Sequence, residues 1–335
     1  MNSQNKIEYL QTKQKQIDIR LLALLAVALF IISIFSLSAG EVWLWPNQWF
    51  SETAQLFVWQ IRFPRLLAVI VIGAALAVTG AIMQALFENP LAEPGLLGIS
   101  NGAGVAVVFI ILLSNGITQY WLISLGAVIG ALLLTFILLF FARKKRFNNA
   151  SLLLVGVALG VICGALMTWM VYMSSSLDLR QLLYWMMGSF SGIDMRQLGL
   201  VITCVPFLLW AMCQGTALNY LSLGSLQAYQ LGFSHYKWRL ALIIVTGILI
   251  GLSVAIAGAI SFVGLVIPHI LRLSGLTDNK WLLPGCALAG AGGLLLADIL
   301  SRILIAHAEI PIGVITATLG APIFIWLLAR NQQWR

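Results

Sequence analysis

The chain has 335 residues, of which 61% are hydrophobic and only 9% charged, and its mean hydropathy is +0.98. A soluble domain carries about a quarter charged residues, so this composition excludes a soluble fold and indicates an all-α protein that crosses a membrane repeatedly. The net charge of +8 does not indicate nucleic-acid binding, because no basic residues alternate with aromatic ones on a polar face.

The apolar runs predict ten membrane crossings, since about twenty apolar residues span the hydrocarbon core. Leu240–Leu273 would form a single helix of about 50 Å against a core of about 30 Å, so we place a turn near Gly258 and count two helices. The other predicted helices cover about Leu21–Leu37, Leu66–Leu86, Leu96–Leu113, Trp121–Phe141, Ser151–Met173, Leu198–Met212, Leu282–Ile305 and Val314–Leu328. Residues 1–335 form one membrane domain, with a polar tail at 1–20 and a polar connector at 214–239.

The basic residues predict the orientation of the chain. With the N-terminus inside, fourteen of the nineteen Lys and Arg residues fall in inner segments. The five in outer segments are Arg62, Arg65, Arg180, Arg196 and Arg302. This excess agrees with the positive-inside rule and places both termini and the connector in the cytoplasm. No small-residue cleavage site follows the first apolar run, which favours a retained helix over a signal peptide.

Residues 62–104 form the most unusual stretch, because their apolar sequence breaks at Asn89-Pro90 and again at Pro94-Gly95. Broken backbone at membrane depth is tolerated only against protein or a water-filled cavity. The break is therefore a candidate part of a transport path. A second segment, residues 178–189, is amphipathic and too short to span, so we expect it to lie at the outer mouth.

Motifs of enzymes and pumps are missing from the sequence. It contains neither the phosphate-binding loop G-x-x-x-x-G-K-[ST] nor H-E-x-x-H, and its four cysteines lack metal-ligand spacing. We predict no cofactor, no metal and no enzyme activity. His269 reads as a packing residue and Asp298 as an i,i+4 partner of Arg302. An ion-coupled carrier would need more buried carboxylates, so any transport is expected to be driven by another protein.

Several runs carry a family resemblance that covers nearly the whole chain beyond residue 40. They are VWQIRFPRLLAV, GAIMQALFENPLAEPGLLGISNGAG, LRQLLYWMMGSFSG, GAISFVGLVIPHILRLSGLTD, LLPGCALAGAGGLLLADI and EIPIGVITATLGAPIFIWLL. These runs resemble the binding-protein-dependent ABC importer permeases for cobalamin, heme and iron-siderophores. Phe87-Glu88 stands where siderophore relatives usually carry a basic residue, and it is similar to the cobalamin branch.

The resemblance implies the ABC type II importer permease fold, with ten helices in each subunit of a homodimer in the cell inner membrane. Two separate ATP-binding subunits would dock on the cytoplasmic face and a periplasmic substrate-binding protein on the outer face. Cobalamin would be the substrate. A ferric-siderophore or heme permease of the same family stays open, as does an ion-coupled carrier or channel. An intramembrane enzyme is disfavoured, since no paired catalytic groups are visible.

The resemblance also implies that three outer arginines receive acidic residues of the binding protein: Arg62, Arg65 and Arg302. A guanidinium fork suits this role because it pairs bidentately with a carboxylate. The residues alone equally allow ordinary interfacial anchors, with Arg302 paired to Asp298.

Three further sets of residues are implied by the same resemblance. The cytoplasmic gate would lie after predicted helix 2 and between predicted helices 4 and 5, at Asn89, Leu91, Asn148 and Asn149. Contacts to the ATPase would come from turns and apolar anchors of the connector, at Gly224, Leu226, Leu231 and Gly232. The upper substrate path would be lined by Tyr184, Trp185 and Met186. Without the resemblance, Asn-Pro is a common helix stop and the connector could be a solvated loop.

Overall fold

The computed structural model describes residues 3–95, 97–114, 119–142, 149–174, 182–183, 185–223, 227, 230–231, 233–305 and 308–331, and these ranges contain helices without strands. The described α-helices of seven residues or more are, in chain order, α1 (Ser3–Ser38), α2 (Phe63–Leu86), α3 (Ile99–Leu113), α4 (Tyr120–Ala142), α5 (Asn149–Tyr172), α6 (Leu198–Met212), α7 (Gly215–Leu221), α8 (His235–Ala257), α9 (Val263–Leu273), α10 (Asn279–Ile303) and α11 (Ile312–Asn331). A π-helical stretch, Leu56–Arg62, leads directly into α2.

The helix lengths and compositions are those of a multi-pass membrane protein. Six helices are long and apolar enough to cross a membrane within the described ranges: α1, α2 with its π-helical start, α4, α5, α8 and α10. Helices α6 and α7 form a pair bent by 52°, and α3, α9 and α11 are shorter apolar helices. The predicted fold class is therefore confirmed as all-helical, whereas the count of ten crossings stays a prediction because the shorter helices do not span by length alone.

Several helices begin earlier than the hydropathy predicts, and the extension is longest for α1 and for α2 with its π-helical start. Helix α1 starts at Ser3, so most of the predicted polar tail is helical, and its 36 residues extend about 54 Å. The tail is rich in Gln and Lys, which have high helix propensity, and the side chain of Gln14 donates to the backbone oxygen of Gly275 at 3.3 Å. Helix α2 is continuous with Leu56–Arg62, so Arg62 and Arg65 lie on helix and not in the predicted loop.

Helix α2 lies at the centre of the fold and packs closely against α9 and α10. At Gly73 and Gly290 the two backbones touch, since a β-carbon added to Gly73 would lie 2.5 Å from the Gly290 oxygen. Gly80 meets Gly264 of α9 even more closely, at 1.9 Å from an added β-carbon to the Gly264 oxygen. Small residues favour such contacts in membranes, where helices are not driven together by the hydrophobic effect.

The predicted turn near Gly258 is confirmed, because α8 ends at Ala257 and α9 begins at Val263. Gly258 has a φ of +69°, and a β-carbon there would lie 2.2 Å from the backbone oxygen of Trp185. The backbone N–H of Ser189 donates to the oxygen of Ala257 at 2.9 Å. The predicted mouth segment therefore packs directly on the α8–α9 joint.

Candidate functional site

The three predicted docking arginines lie together with two acidic residues, and we call this group the arginine cluster: Arg62, Arg65, Asp298, Arg302 and Glu309. Arg65 Nε lies 2.9 Å from Asp298 Oδ1, and its Nη1 lies 2.8 Å from Glu309 Oε1. Arg302 Nη2 lies 3.0 Å from Asp298 Oδ2, which is the i,i+4 pair expected from the sequence. The Asp298 side chain is only 1% exposed, so one buried carboxylate holds two arginines.

Arg62 and Arg302 also bind the end of α1. Arg62 Nη1 donates to the backbone oxygens of Leu37 and Ser38, both at 2.9 Å. Arg302 Nη1 donates to the oxygens of Ser36 and Ala39 at 3.1 and 3.0 Å. The last carbonyls of a helix lack intrahelical partners and carry partial negative charge, so cations stabilise them. Two arginines that are distant in sequence thus cap one helix.

The arginines differ in how many donors they have left. Arg302 makes four hydrogen bonds: Nε donates to the backbone oxygen of Asp298, Nη1 to the two carbonyls at the end of α1, and Nη2 to Ser36 Oγ, beside its ion pair with Asp298 Oδ2. Arg62 is half-buried and donates from Nη1 to two carbonyls and from Nη2 to the Val42 oxygen at 2.7 Å. All three arginines line a cavity of about 750 Å³. Docking of a partner there stays a prediction.

Asn89 and Leu91 form a turn directly after α2. The Asn89 side-chain oxygen accepts the backbone N–H of Leu91 at 2.8 Å, a pattern typical of asparagine turns. The side chain of Leu91 is 42% exposed, so it is available for contact with another chain. Asn148 lies outside the described residues, and Asn149 is the first residue of α5 instead of part of a loop. Their assignment to a gate stays a prediction.

Glu93 joins the segment between α2 and α3, which we call the broken stretch, to α9. Glu93 was not singled out from the sequence. Its Oε1 accepts the backbone N–H of Phe262, the residue before α9, at 3.1 Å. Gln84 of α2 makes a parallel connection, because its Nε2 donates to the Leu265 oxygen at 3.2 Å and its Oε1 accepts from Arg272. An acidic residue directly before proline, between Asn89-Pro90 and Pro94-Gly95, was the available signal for Glu93.

The mouth segment positions Trp185 beside a cavity of about 300 Å³ that Ser189 and Gln197 also line. The indole Nε1 of Trp185 is buried and has no acceptor among the described protein atoms. Met186 is half-buried on the same segment, whereas Tyr184 lies outside the described residues. The substrate-path role of these residues stays a prediction.

The connector is described in part. Its first helix, α7, packs with Gly215 against the backbone of Asn279 and Lys280, since a β-carbon on Gly215 would lie 2.4 Å from the Lys280 α-carbon. Leu231 is 62% exposed, as an anchor for another protein would be. Gly224, Leu226 and Gly232 lie outside the described residues.

Comparison with known proteins agrees with this architecture. The FecCD transport family matches residues 24–330. A protein of Photorhabdus laumondii named vitamin B12 import system permease protein BtuC is 64% identical over 334 residues, covering 100% of both chains. A protein of the same name from Yersinia enterocolitica is 62% identical and covers 98% of each. A solved structure described as an ABC transporter of the metal-chelate type, in an inward-facing conformation, has a TM-score of 0.85 at 30% identity and covers 93% of this chain and 99% of its own. The chain belongs to the FecCD transport family.

Proposed function

We propose that this chain is the permease subunit of an ATP-driven importer that moves vitamin B12 from the periplasm to the cytoplasm. The observation that carries the proposal is the 64% identity, over the full length of both chains, to a protein named for vitamin B12 import. The sequence agrees with a dependent subunit because it has no phosphate-binding loop. ATP hydrolysis would therefore be carried out by a separate chain.

The proposed assembly is a homodimer with two ATP-binding subunits at the connector and a periplasmic binding protein at the arginine cluster. Each subunit would cross the inner membrane ten times, with both termini in the cytoplasm. Six long helices, one bent pair and three shorter apolar helices among the described residues supply ten segments for these crossings. The fourteen inner basic residues support the orientation.

Within the arginine cluster we assign the main docking contact to Arg62. Arg65 is buried and held by two carboxylates, and Arg302, whose side chain is 7% exposed, makes four hydrogen bonds within the chain and pairs with Asp298. Arg62 is more exposed than either of them and makes three hydrogen bonds, one fewer than Arg302. An acidic residue of the binding protein could then pair with Arg62 without breaking the bonds that hold α1. Arg65 and Arg302 would shape the surface from below.

The other predicted site residues would have separate roles. Asn89 would fix the turn after α2 through its bond to the Leu91 N–H, and the exposed Leu91 side chain would close the path against its symmetry mate. Leu231 would anchor the ATPase. Trp185 and Met186 would contact the passing substrate at the upper end.

Uptake of radiolabelled cobalamin tests the proposal. A strain lacking this chain should lose uptake at nanomolar supply, and a plasmid copy should restore it; unimpaired uptake in the deleted strain would refute the assignment. Ferric-siderophore and heme uptake in the same strain distinguish the alternative substrates of the family. Transport by the purified homodimer without any ATPase would instead favour a carrier or channel.

A further inference from the structure

A polar contact ties α7 of the connector to the start of α10, and we call it the clasp: Asn219, Asp278 and Asn279. Asn219 Nδ2 donates to Asp278 Oδ1 at 2.6 Å. Asn219 Oδ1 accepts both the backbone N–H and the side-chain N–H of Asn279, at 3.1 and 2.8 Å. A single asparagine side chain therefore makes three hydrogen bonds to residues about 60 positions further along the chain.

The clasp holds the first turn of α10, where backbone N–H groups lack intrahelical partners. Asp278 is the N-cap, and its Oδ1 accepts the backbone N–H of Lys280 at 2.9 Å. Asn219 satisfies a second of these groups, that of Asn279, from a different helix. The close backbone approach at Gly215 adds contact on the same side. Helix α7 cannot shift relative to α10 without breaking these bonds.

Helix α10 connects the clasp to the arginine cluster and, through α2, to the turn at Asn89. Its 25 residues extend about 37 Å, and its far end carries Asp298 and Arg302 of the arginine cluster. Halfway along, Gly290 touches Gly73 of α2, and α2 ends at the turn formed by Asn89. A displacement of α7 would therefore be passed through α10 to α2 and to the broken stretch.

We propose that Asn219 is the positioning residue that transmits movement of the ATPase subunits to the transmembrane helices. This inference rests on the proposed function, in which the connector contacts the ATPase. Asn219 touches neither substrate nor nucleotide in this role. Its effect should appear in the amount of substrate moved per ATP, while hydrolysis itself continues.

The test uses the complete transporter, with ATPase subunits and binding protein, reconstituted in liposomes. Asn219→Ala removes the bonds, and Asn219→Asp places two carboxylates against each other. We expect both to lower the transport-to-hydrolysis ratio by about fivefold or more, in the usual range of coupling between sites. Ser222→Ala is the matched control, because the bond that its hydroxyl makes within the described residues goes to the Asn219 backbone oxygen in its own segment.

An exchange variant separates coupling from folding. Asn219→Asp combined with Asp278→Asn restores a donor–acceptor pair with the roles reversed, and asparagine remains a good N-cap. We expect its ratio to return to within about twofold of wild type, since the pair again bonds without like-charge repulsion. An unchanged ratio in assembled Asn219→Ala transporter would overturn the proposal, as would an exchange variant that assembles but stays uncoupled. Ratios are referred to wild type for whichever substrate it moves, so absent cobalamin transport by wild type would count against the proposed function alone.

Discussion

Asp298→Asn is the sharpest test of what the arginine cluster does. The substitution keeps the shape of the side chain but removes the charge that Arg65 and Arg302 share. The three side chains are 1%, 9% and 7% exposed, so solvent screens these charges weakly. At an effective dielectric constant of about 20, two unit charges 3 Å apart attract by about 5 kcal/mol, and desolvation of the ions offsets part of this.

The contacts that the two arginines keep narrow the loss of stability expected for Asp298→Asn. Breaking a buried ion pair by removing one partner typically costs about 3–5 kcal/mol. Arg65 keeps its contact with Glu309, and Arg302 keeps its bonds to the end of α1. We therefore expect the lower end, about 3 kcal/mol, in the free energy of unfolding measured by SDS titration in mixed micelles.

Asp194→Asn is the matched control for this measurement. Asp194 and Arg196 are 4.0 Å apart, with side chains 50% and 88% exposed, and exposed pairs contribute at most about 1 kcal/mol. If Asp298→Asn were as stable as this control but bound the binding protein less well, the cluster would be a docking site without a structural role. That outcome would refute the reasoning above.

Two further substitutions test the contacts of α9 with its neighbours, and tags fused to the termini test the orientation of the chain. Glu93→Leu should leave the Phe262 N–H unsatisfied and cost about 1–3 kcal/mol in SDS titration, whereas Glu93→Gln, which keeps an acceptor, should stay close to wild type. Gly80→Ala should lower the yield of folded protein on size-exclusion chromatography and destabilise it by about 1–3 kcal/mol or more, because its β-carbon meets the Gly264 oxygen. Gly95→Ala is the control and should be tolerated, because no atom of the described chain beyond its two neighbours lies within 4 Å of the added carbon. Reporter tags fused to the two termini should both be inaccessible from the periplasm; opposite accessibility would contradict the predicted topology.

The sequence was most informative where a physical length or composition limits the answer. The turn at Gly258 was predictable because one helix through Leu240–Leu273 would exceed the hydrocarbon thickness. The bounds Leu198–Met212 were predicted as found, since polar residues end that apolar run on both sides. The pair of Asp298 and Arg302 followed from helical spacing.

Contacts between distant segments were not predictable in the same way. Arg65 pairs with Glu309, which is 244 positions away, and Asn219 meets Asn279 after 60. Such pairs depend on which helix faces meet, and helices that are apolar all round do not reveal their faces. The helical start of α1 was missed because hydropathy marks the membrane boundary and not the end of the helix.

Helices α2 and α10 are held firmly together, and this limits where the backbone can move. Polar bonds fix both ends of α10, at the clasp and at the arginine cluster, and glycine contacts fix its middle to α2. Two helices held in this way move as a unit. Any change between an open and a closed path must therefore occur in the segments next to the pair. The non-glycine residues with positive φ in the described chain are Glu88, at +50°, and Phe262, at +70°. They lie at the end of α2 and the start of α9. Such unfavourable backbone conformations persist only where the surrounding structure holds them in place. The Phe262 N–H donates to Glu93, so this bond, together with the bonds of Gln84 to α9, links these two segments.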